Sequence, residues 1–258
     1  MSNLSKNPVA IITGGSRGIG AATALLLASK GWNIAITCSS TLEDANSIIK
    51  KCEKVNNIEG IAIQADVSID EECQKTIQET VKKWGRIDAL INNAGTSKFA
   101  WDHSDLEQLD VDDFLRIYSV NLVGPYQMVK HAKPYLLKSS NPSITNISSI
   151  AGIKGIGSSV AYAASKGALN TMTISMARNL GPIRVNAVCP GFVEGEWLKA
   201  GLGDEMFNAA KENLELKVPL KAVANPDSVA QSVFSFVEIN KIVTGQLLIV
   251  DGGHHLEL

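Results

Sequence analysis

Tyr162 and Lys166 stand four residues apart in the run Tyr162-Ala163-Ala164-Ser165-Lys166, and Ser149 lies thirteen residues before the tyrosine. Four residues are about one helical turn, so on a helix the phenol and the ammonium share a face. A free phenol, with a pKa of about 10, is a poor acid or base at neutral pH unless a neighbouring cation favours the phenolate. Lys166 is placed to supply that cation, and a serine hydroxyl can polarise a carbonyl as charge develops on its oxygen. Together they point to proton transfer at a carbonyl or alcohol oxygen. The same spacing also occurs as decoration on helix surfaces, so the rest of the chain has to supply the context.

That context begins with Thr13-Gly14-Gly15-Ser16-Arg17-Gly18-Ile19-Gly20, which follows an apolar run and opens an amphipathic one. Glycines let a backbone turn sharply and come close to a pyrophosphate, which the N–H groups and positive dipole end of the next helix then stabilise. Gly14, Gly18 and Gly20 form G-x-x-x-G-x-G, not the G-x-G-x-x-G of the long dehydrogenases.

Short β-branched runs alternate with longer amphipathic stretches along the chain, as in successive βαβ units. Seven strands are predicted at Val9–Thr13, Ile34–Thr37, Ile61–Gln64, Ala89–Asn92, Ser143–Ile147, Arg184–Val188 and Leu247–Val250. Helices are predicted at Gly18–Lys30, Leu42–Val55, Asp70–Trp84, Val111–Lys138, Ser158–Leu180 and Pro226–Glu238. The expected architecture is α/β, a doubly wound parallel seven-stranded sheet of Rossmann type with helices on both faces, in one domain spanning 1–258. The interval 194–220 is longer than an ordinary connection, is rich in glycine, and emerges at a strand's carboxyl end. It reads as a substrate lid, or else as a surface excursion.

The 258 residues suffice for one large core without staples. Lys plus Arg number 24 against 26 acids, and no charge run suggests nucleic acid or an anionic membrane as partner. Cys38, Cys52, Cys73 and Cys189 are scattered without C-x-x-C or histidine at ligand spacing, so neither a metal site nor a disulfide framework is expected, and a reducing cytoplasm suits them. Met1-Ser2-Asn3-Leu4-Ser5-Lys6 has no basic region leading into an apolar core, and no apolar run approaches the ~20 residues of a membrane span. The expected partner is a small-molecule carbonyl or alcohol.

In order and spacing, T-G-x-x-x-G-x-G, Asn92-Asn93-Ala94-Gly95, Ser149, Tyr162, Lys166 and Pro190-Gly191 resemble the short-chain dehydrogenase/reductase family over almost the whole chain. The likeness is closest to its single-domain branch of 3-oxoacyl-acyl carrier protein reductases and hydroxysteroid dehydrogenases. It implies Tyr162 as proton donor or acceptor and also as a cofactor contact, Lys166 as its cation and as a ligand of the nicotinamide ribose, and Ser149 as carbonyl polariser, with Ser148 as fallback. Asn121 matches the residue that bends the long helix and anchors a water leading to Lys166.

The resemblance further implies that Gly14, Ser16, Arg17, Gly18, Ile19 and Gly20 hold the pyrophosphate side, Asp66 and Val67 the adenine, and Asn93, Ala94 and Gly95 the adenosine ribose. Pro190, Gly191 and Val193 would pack against the nicotinamide. Asn92 and Asn93 could instead cap the fourth strand. Many relatives carry threonine where this chain has Gly195, which leaves that cofactor contact open and suggests a hinge. The second strand runs out through Thr37-Cys38-Ser39-Ser40-Thr41 with no carboxylate before Glu43. With Arg17 in the loop and the Ser39 and Ser40 hydroxyls available, NADP(H) is favoured over NAD(H), although Arg17 could also sit in solvent.

Phe99, Trp101, Ile150, Ile156, Phe192 and Trp197 are the candidate pocket residues, and they suit a partly apolar ketone or alcohol. A reductase of carrier-bound thioesters needs a basic dock for an acidic carrier, and the ends of the two long helices offer only Lys138. A dinucleotide-sensing regulator would not need Asn121, Ser149, Tyr162 and Lys166 together. Sugar epimerases and dehydratases share Y-x-x-x-K but typically have another glycine spacing and a longer C-terminal domain. The resemblance implies a homotetramer, with the helices over Val111–Lys138 and Ser158–Leu180 paired across a two-fold axis.

Overall fold

A computed structural model describes residues 4–256, so Met1–Asn3 of the N-terminal stretch considered above lie outside the described residues. Seven strands form one parallel sheet: β1 Val9–Ile12, β2 Asn33–Cys38, β3 Gly60–Gln64, β4 Ala89–Asn92, β5 Ser143–Ile147, β6 Arg184–Pro190 and β7 Leu247–Val250. Their order is β3-β2-β1-β4-β5-β6-β7, so the chain reverses direction of winding between β1 and β4. Strands β1, β2, β4, β5 and β6 are buried along their whole length, as expected where both faces are covered.

Period-two alternation divides the sheet's residues between two cores. Ala10, Ile12, Ile34, Ile36 and Ile91 pack on one face beneath α1 Gly18–Ser29 and α2 Leu42–Val55. Val9, Ile11, Leu90, Ile144 and Val185 pack on the other against α3 Asp70–Trp84. The long helix predicted over Val111–Lys138 is three pieces: α4 Val111–Tyr118, a π turn at Ser119–Val123, and α5 Gly124–Leu136. An inserted π turn re-aims a helix and is often found at functional sites.

Beyond β5 come the short α6 Ala151–Lys154 and then α7 Val160–Asn179. Two helices fill the interval read as a lid, α8 Glu196–Leu202 and α9 Asp204–Lys217, and α10 Pro226–Phe234 follows with its own π turn at Ser235–Ile239. Strand β6 runs two residues further than its apolar pattern suggested, because Pro190 still pairs with Val250 of β7. Among the described residues, no helix is long and apolar enough to cross a membrane.

One buried polar ladder fixes α7 to the sheet. Asn92 Nδ2 donates to Asn146 Oδ1 at 2.8 Å, Asn146 Nδ2 donates to Thr173 Oγ1 at 2.8 Å, and the Thr173 hydroxyl donates back to Leu169 O in its own helix. All three side chains are buried, so losing the middle member strands Asn92. Asn146→Ala should therefore lower unfolding free energy by about 1–3 kcal/mol in urea titration, the worth of stranding Asn92, with Thr173 still bonded to Leu169 O. A loss below ~0.5 kcal/mol would mean that water replaces the ladder.

Candidate active site

The carboxyl ends of β1, β4, β5 and β6 meet where the sheet order reverses, the usual binding crevice of open α/β sheets. Ser159 caps α7 by accepting from Tyr162 N at 3.2 Å, which sets Tyr162 in the first turn and Lys166 one turn later. The Lys166 ammonium is buried and donates to the carbonyl of Ile147, the last residue of β5, at 2.8 Å. It also lies 5.6 Å from the centroid of the Tyr162 ring.

Ser149 is hydrogen-bonded to the Tyr162 phenol. Its Oγ also accepts from Ala151 N at 3.1 Å and lies 3.4 Å from Pro190 O. Ser148 is turned away and donates to Lys166 O at 3.2 Å, so of the two serines it is Ser149 that stands against the tyrosine. Asn121 occupies the π turn and is fully buried. Its Oδ1 accepts from Thr96 N at 2.8 Å, while Nδ2 donates to Thr96 O at 2.9 Å and to Ser165 Oγ at 3.0 Å. Ser165 in turn donates to Tyr162 O at 2.7 Å, so the amide ties the bend, the loop after β4 and the tyrosine's own turn together.

Burial dominates the electrostatics. It pushes the Tyr162 phenol up to about 12 against the opposing hydrogen bond from Ser149, and it pushes Lys166 down to about 8. The lowering of the Tyr162 pKa by Lys166, expected from spacing, is not seen in this structure. The physical reason is that the ammonium sits over the ring, bonded to Ile147 O, and is itself near half-ionisation at mildly alkaline pH.

The glycine loop has the shape a dinucleotide requires. Gly14 and Gly18 take φ of +62° and +53°, and a Cβ on Gly20 would stand 2.4 Å from Gly14 O. Gly18 has open space around it, Arg17 and Gly18 are exposed, and Ser16 and Ile19 are half-buried beside them. A Cβ on Gly95 would fall 3.5 Å from Asn121 Oδ1 and 3.6 Å from Lys166 Nζ, so this glycine keeps a corridor open beside the lysine. Pro190 ends β6, and a Cβ on Gly191 would overlap Asp251 Cβ at 2.5 Å. Val193 forms a parallel bridge with Ala224.

Ser39 and Ser40 are exposed at the end of β2, and Asp66 takes hydrogen bonds from Ser68 N and Oγ while Val67 is buried. Asn93 faces inward: Nδ2 donates to Thr13 O and Gly14 O at 2.9 and 2.8 Å, so its side chain braces the loop. Thr13, which sequence reasoning left aside, is the other brace, its Oγ1 accepting from both Asn93 N and Ala94 N at 3.0 Å. Its place directly before Gly14 was the available signal. Ser159 was legible in the same way, as a serine three residues ahead of Tyr162.

Helix α8 brings an aromatic ring over the tyrosine. The Trp197 ring of α8 lies 5.9 Å from Tyr162 and 5.3 Å from Phe99, and Phe99 stacks on Trp101 at 5.5 Å. Gly195 and Gly203 flank α8 with φ of +153° and +76° and open space around each. Of the other pocket candidates, Ile150 is buried next to Gly191, Ile156 is on the surface, and Phe192 packs against Phe207 of α9 at 5.1 Å.

A family model described as enoyl-(acyl carrier protein) reductase matches residues 14–255. The chain belongs to the short-chain dehydrogenase/reductase family and is an NAD(P)-dependent oxidoreductase acting on CH–OH or carbonyl groups. It is 34% identical over 249 residues to the 3-oxoacyl-[acyl-carrier-protein] reductase FabG of Thermotoga maritima, covering 95% of this chain and 96% of the relative. Among solved structures it resembles a Burkholderia xenovorans protein assigned to the short-chain dehydrogenase/reductases, with TM-score 0.89, 39% identity, and coverage of 98% and 100% of the two chains. A NAD+-bound xylitol dehydrogenase is also similar, with TM-score 0.85, 28% identity, and coverage of 96% and 100%.

Because the Lys166 pKa falls from 10.5 to about 8, folding is opposed by about 3 kcal/mol at any pH below 8, and the penalty is released as pH rises from 8 toward 10.5. Lys166→Met should thus raise stability at pH 7 by ~2 kcal/mol, after roughly 1 kcal/mol is lost with the Ile147 hydrogen bond. Denaturant titration at pH 7 and pH 10 should show the gain shrinking at the higher pH. An unchanged or lower stability at pH 7 would show that the ammonium is not held desolvated.

Proposed function

We propose that the protein is an NADP(H)-dependent carbonyl reductase, reversible in principle, in which Tyr162 exchanges the proton on a small, partly apolar ketone or alcohol. The single observation that carries this reading is that Ser149 and Lys166 stand against the Tyr162 ring while Asn121 is linked to the same turn through Ser165. The Gly14–Gly20 loop, with Asp66, Val67 and Asn93 to Gly95, would hold the dinucleotide, whose nicotinamide supplies hydride. Pro190, Gly191 and Val193 would line the nicotinamide side.

Tyr162 is protonated at neutral pH, the state needed to give a proton to a ketone oxygen as negative charge develops there. Ser149 would share that oxygen and stabilise the charge with its hydroxyl. Lys166, buried over the ring, would keep a positive charge near the oxygen on which negative charge develops, and Gly95 leaves space beside its Nζ. Asn121 keeps α4 and the loop after β4 in register with α7, and so acts as a positioning residue.

The preference for NADP(H) rests on Arg17, exposed and without an ion-pair partner among the described residues, and on the exposed hydroxyls of Ser39 and Ser40 at a strand end that lacks a carboxylate. Reduction of ketones, quinones and 3-oxoacyl thioesters, followed by loss of nicotinamide absorbance with NADPH and NADH in parallel, tests the activity. Arg17→Ala should raise KM for NADPH roughly tenfold, the worth of one charge-assisted phosphate contact, and leave NADH nearly unaffected. An unaltered cofactor preference would remove Arg17 from the assignment. The similarity to FabG favours a second reading, reduction of 3-oxoacyl thioesters, which the thioester arm of the same panel tests.

The pH profile follows from the two shifted groups. Reduction should be level through neutral pH and fall as pH rises through about 8, where Lys166 loses its charge while Tyr162 stays protonated. Oxidation, which needs the phenolate, should keep rising above pH 8. A reduction rate that climbs between pH 7 and 9 would contradict the assignment of the lysine.

A further inference from the structure

Four tryptophans are present, and they fall into two groups. Trp32 and Trp84 are buried in the core, whereas Trp101 and Trp197 are 40% and 39% exposed and stand at the mouth of the site. Phe99 lies between the latter two, 5.5 Å from Trp101 and 5.3 Å from Trp197, and Trp197 reaches Tyr162 at 5.9 Å. The arrangement is held in place. Trp101 Nε1 donates to Gly201 O of α8 at 3.3 Å, and Gly201 is pressed so closely on Phe99 that a Cβ there would fall 2.2 Å from the ring. Exposed aromatic rings fixed beside a reacting hydroxyl offer faces and edges that a planar π system matches better than a saturated chain does.

The segment that follows Trp101 carries charge of one sign. From Trp101 to Phe114 the chain carries Asp102, Asp105, Glu107, Asp110, Asp112 and Asp113 and no Lys or Arg. His103 Nε2 lies 3.0 Å from Gly157 O, and a Cβ on Gly157 would be 3.7 Å from the Tyr162 ring, so this acidic segment is anchored beside the tyrosine. The two nearest cations in sequence are turned onto it, Lys98 pairing with Asp113 at 2.5 Å and Arg116 lying 3.9 Å from the same carboxylate. An acidic carrier protein or an anionic substrate approaching this rim meets like charge, which costs affinity and slows encounter.

We propose that Phe99, Trp101 and Trp197 form a substrate subsite for a free, uncharged aromatic ketone, and that the acidic rim beside it excludes carrier-bound acyl thioesters. The proposal rests on the carbonyl-reductase reading above and names the substrate class of that same site. Trp197 is its specificity-determining residue, since it bridges the wall and the Tyr162 ring.

The test compares 1-tetralone with its saturated counterpart 1-decalone, and an N-acetylcysteamine 3-oxobutyryl thioester with the same acyl group on acyl carrier protein, in wild type and Trp197→Leu. The ratio of kcat/KM for tetralone over decalone should fall about tenfold in Trp197→Leu, chiefly through KM, as expected for losing one aromatic pair. The carrier-bound thioester should be used no better than the free one. A ratio unchanged in Trp197→Leu, or a carrier-bound thioester favoured tenfold over the free one, overturns the proposal. Tetralone binding is read separately by tryptophan fluorescence with NADP+ present, which cannot reduce it. Quenching should be strong in wild type and largely lost in Trp101→Leu/Trp197→Leu, because Trp32 and Trp84 are shielded in the core. Quenching that survives in the double variant overturns the subsite. If no carbonyl is reduced with either nicotinamide, the reductase reading fails, and the fluorescence measurement still decides whether the aromatic wall binds an aryl ketone.

Discussion

A lysine ammonium held inside the protein, bonded to the last carbonyl of β5 and lying over a phenol, is the arrangement on which the rest of the site depends. Desolvating that charge opposes folding, and it persists only because the surrounding structure over-determines where Lys166 lies. The Asn92, Asn146 and Thr173 ladder fixes α7 against β4 and β5, and the Ser159 cap sets the helix phase so that Tyr162 and Lys166 look the same way. Asn121 completes the frame from the other side, where the π turn lets one amide reach both the Thr96 backbone and Ser165.

The same economy of shape governs the nucleotide side. Thr13 and Asn93 lace β1 to β4 directly under Gly14, so the loop is pre-formed by side chains that need not touch a ligand. Gly20 then lets α1 begin against the loop where any Cβ would collide with Gly14 O. The two ends of the crevice are built differently: side chains brace the glycine loop, whereas α8 is flanked by Gly195 and Gly203 with positive φ.

Much of this was legible in the residues themselves. The strand periods placed all seven strands, and the Tyr162, Lys166 and Ser149 spacing identified the groups that meet at the crevice. Three things were not. The bend at Asn121 was expected from the resemblance, but not its form as a π turn over Ser119–Val123, which lies just ahead of Gly124-Pro125 and is tied by tertiary bonds from Asn121. The direction of the Tyr162 shift depends on burial, which a one-turn spacing does not report. Asn93 is placed by motif near the adenosine ribose, yet its side chain faces into the loop because Thr13 O and Gly14 O need a donor there.

The central claim is that Tyr162 moves the proton, while most of the cofactor's hold comes from other residues, and single-turnover reduction of an accepted ketone by Tyr162→Phe tests it most directly. The account predicts a first-order rate lower by roughly a hundredfold or more, the usual worth of a positioned general acid, with NADPH affinity within about twofold of wild type. A wild-type rate in that variant would contradict it.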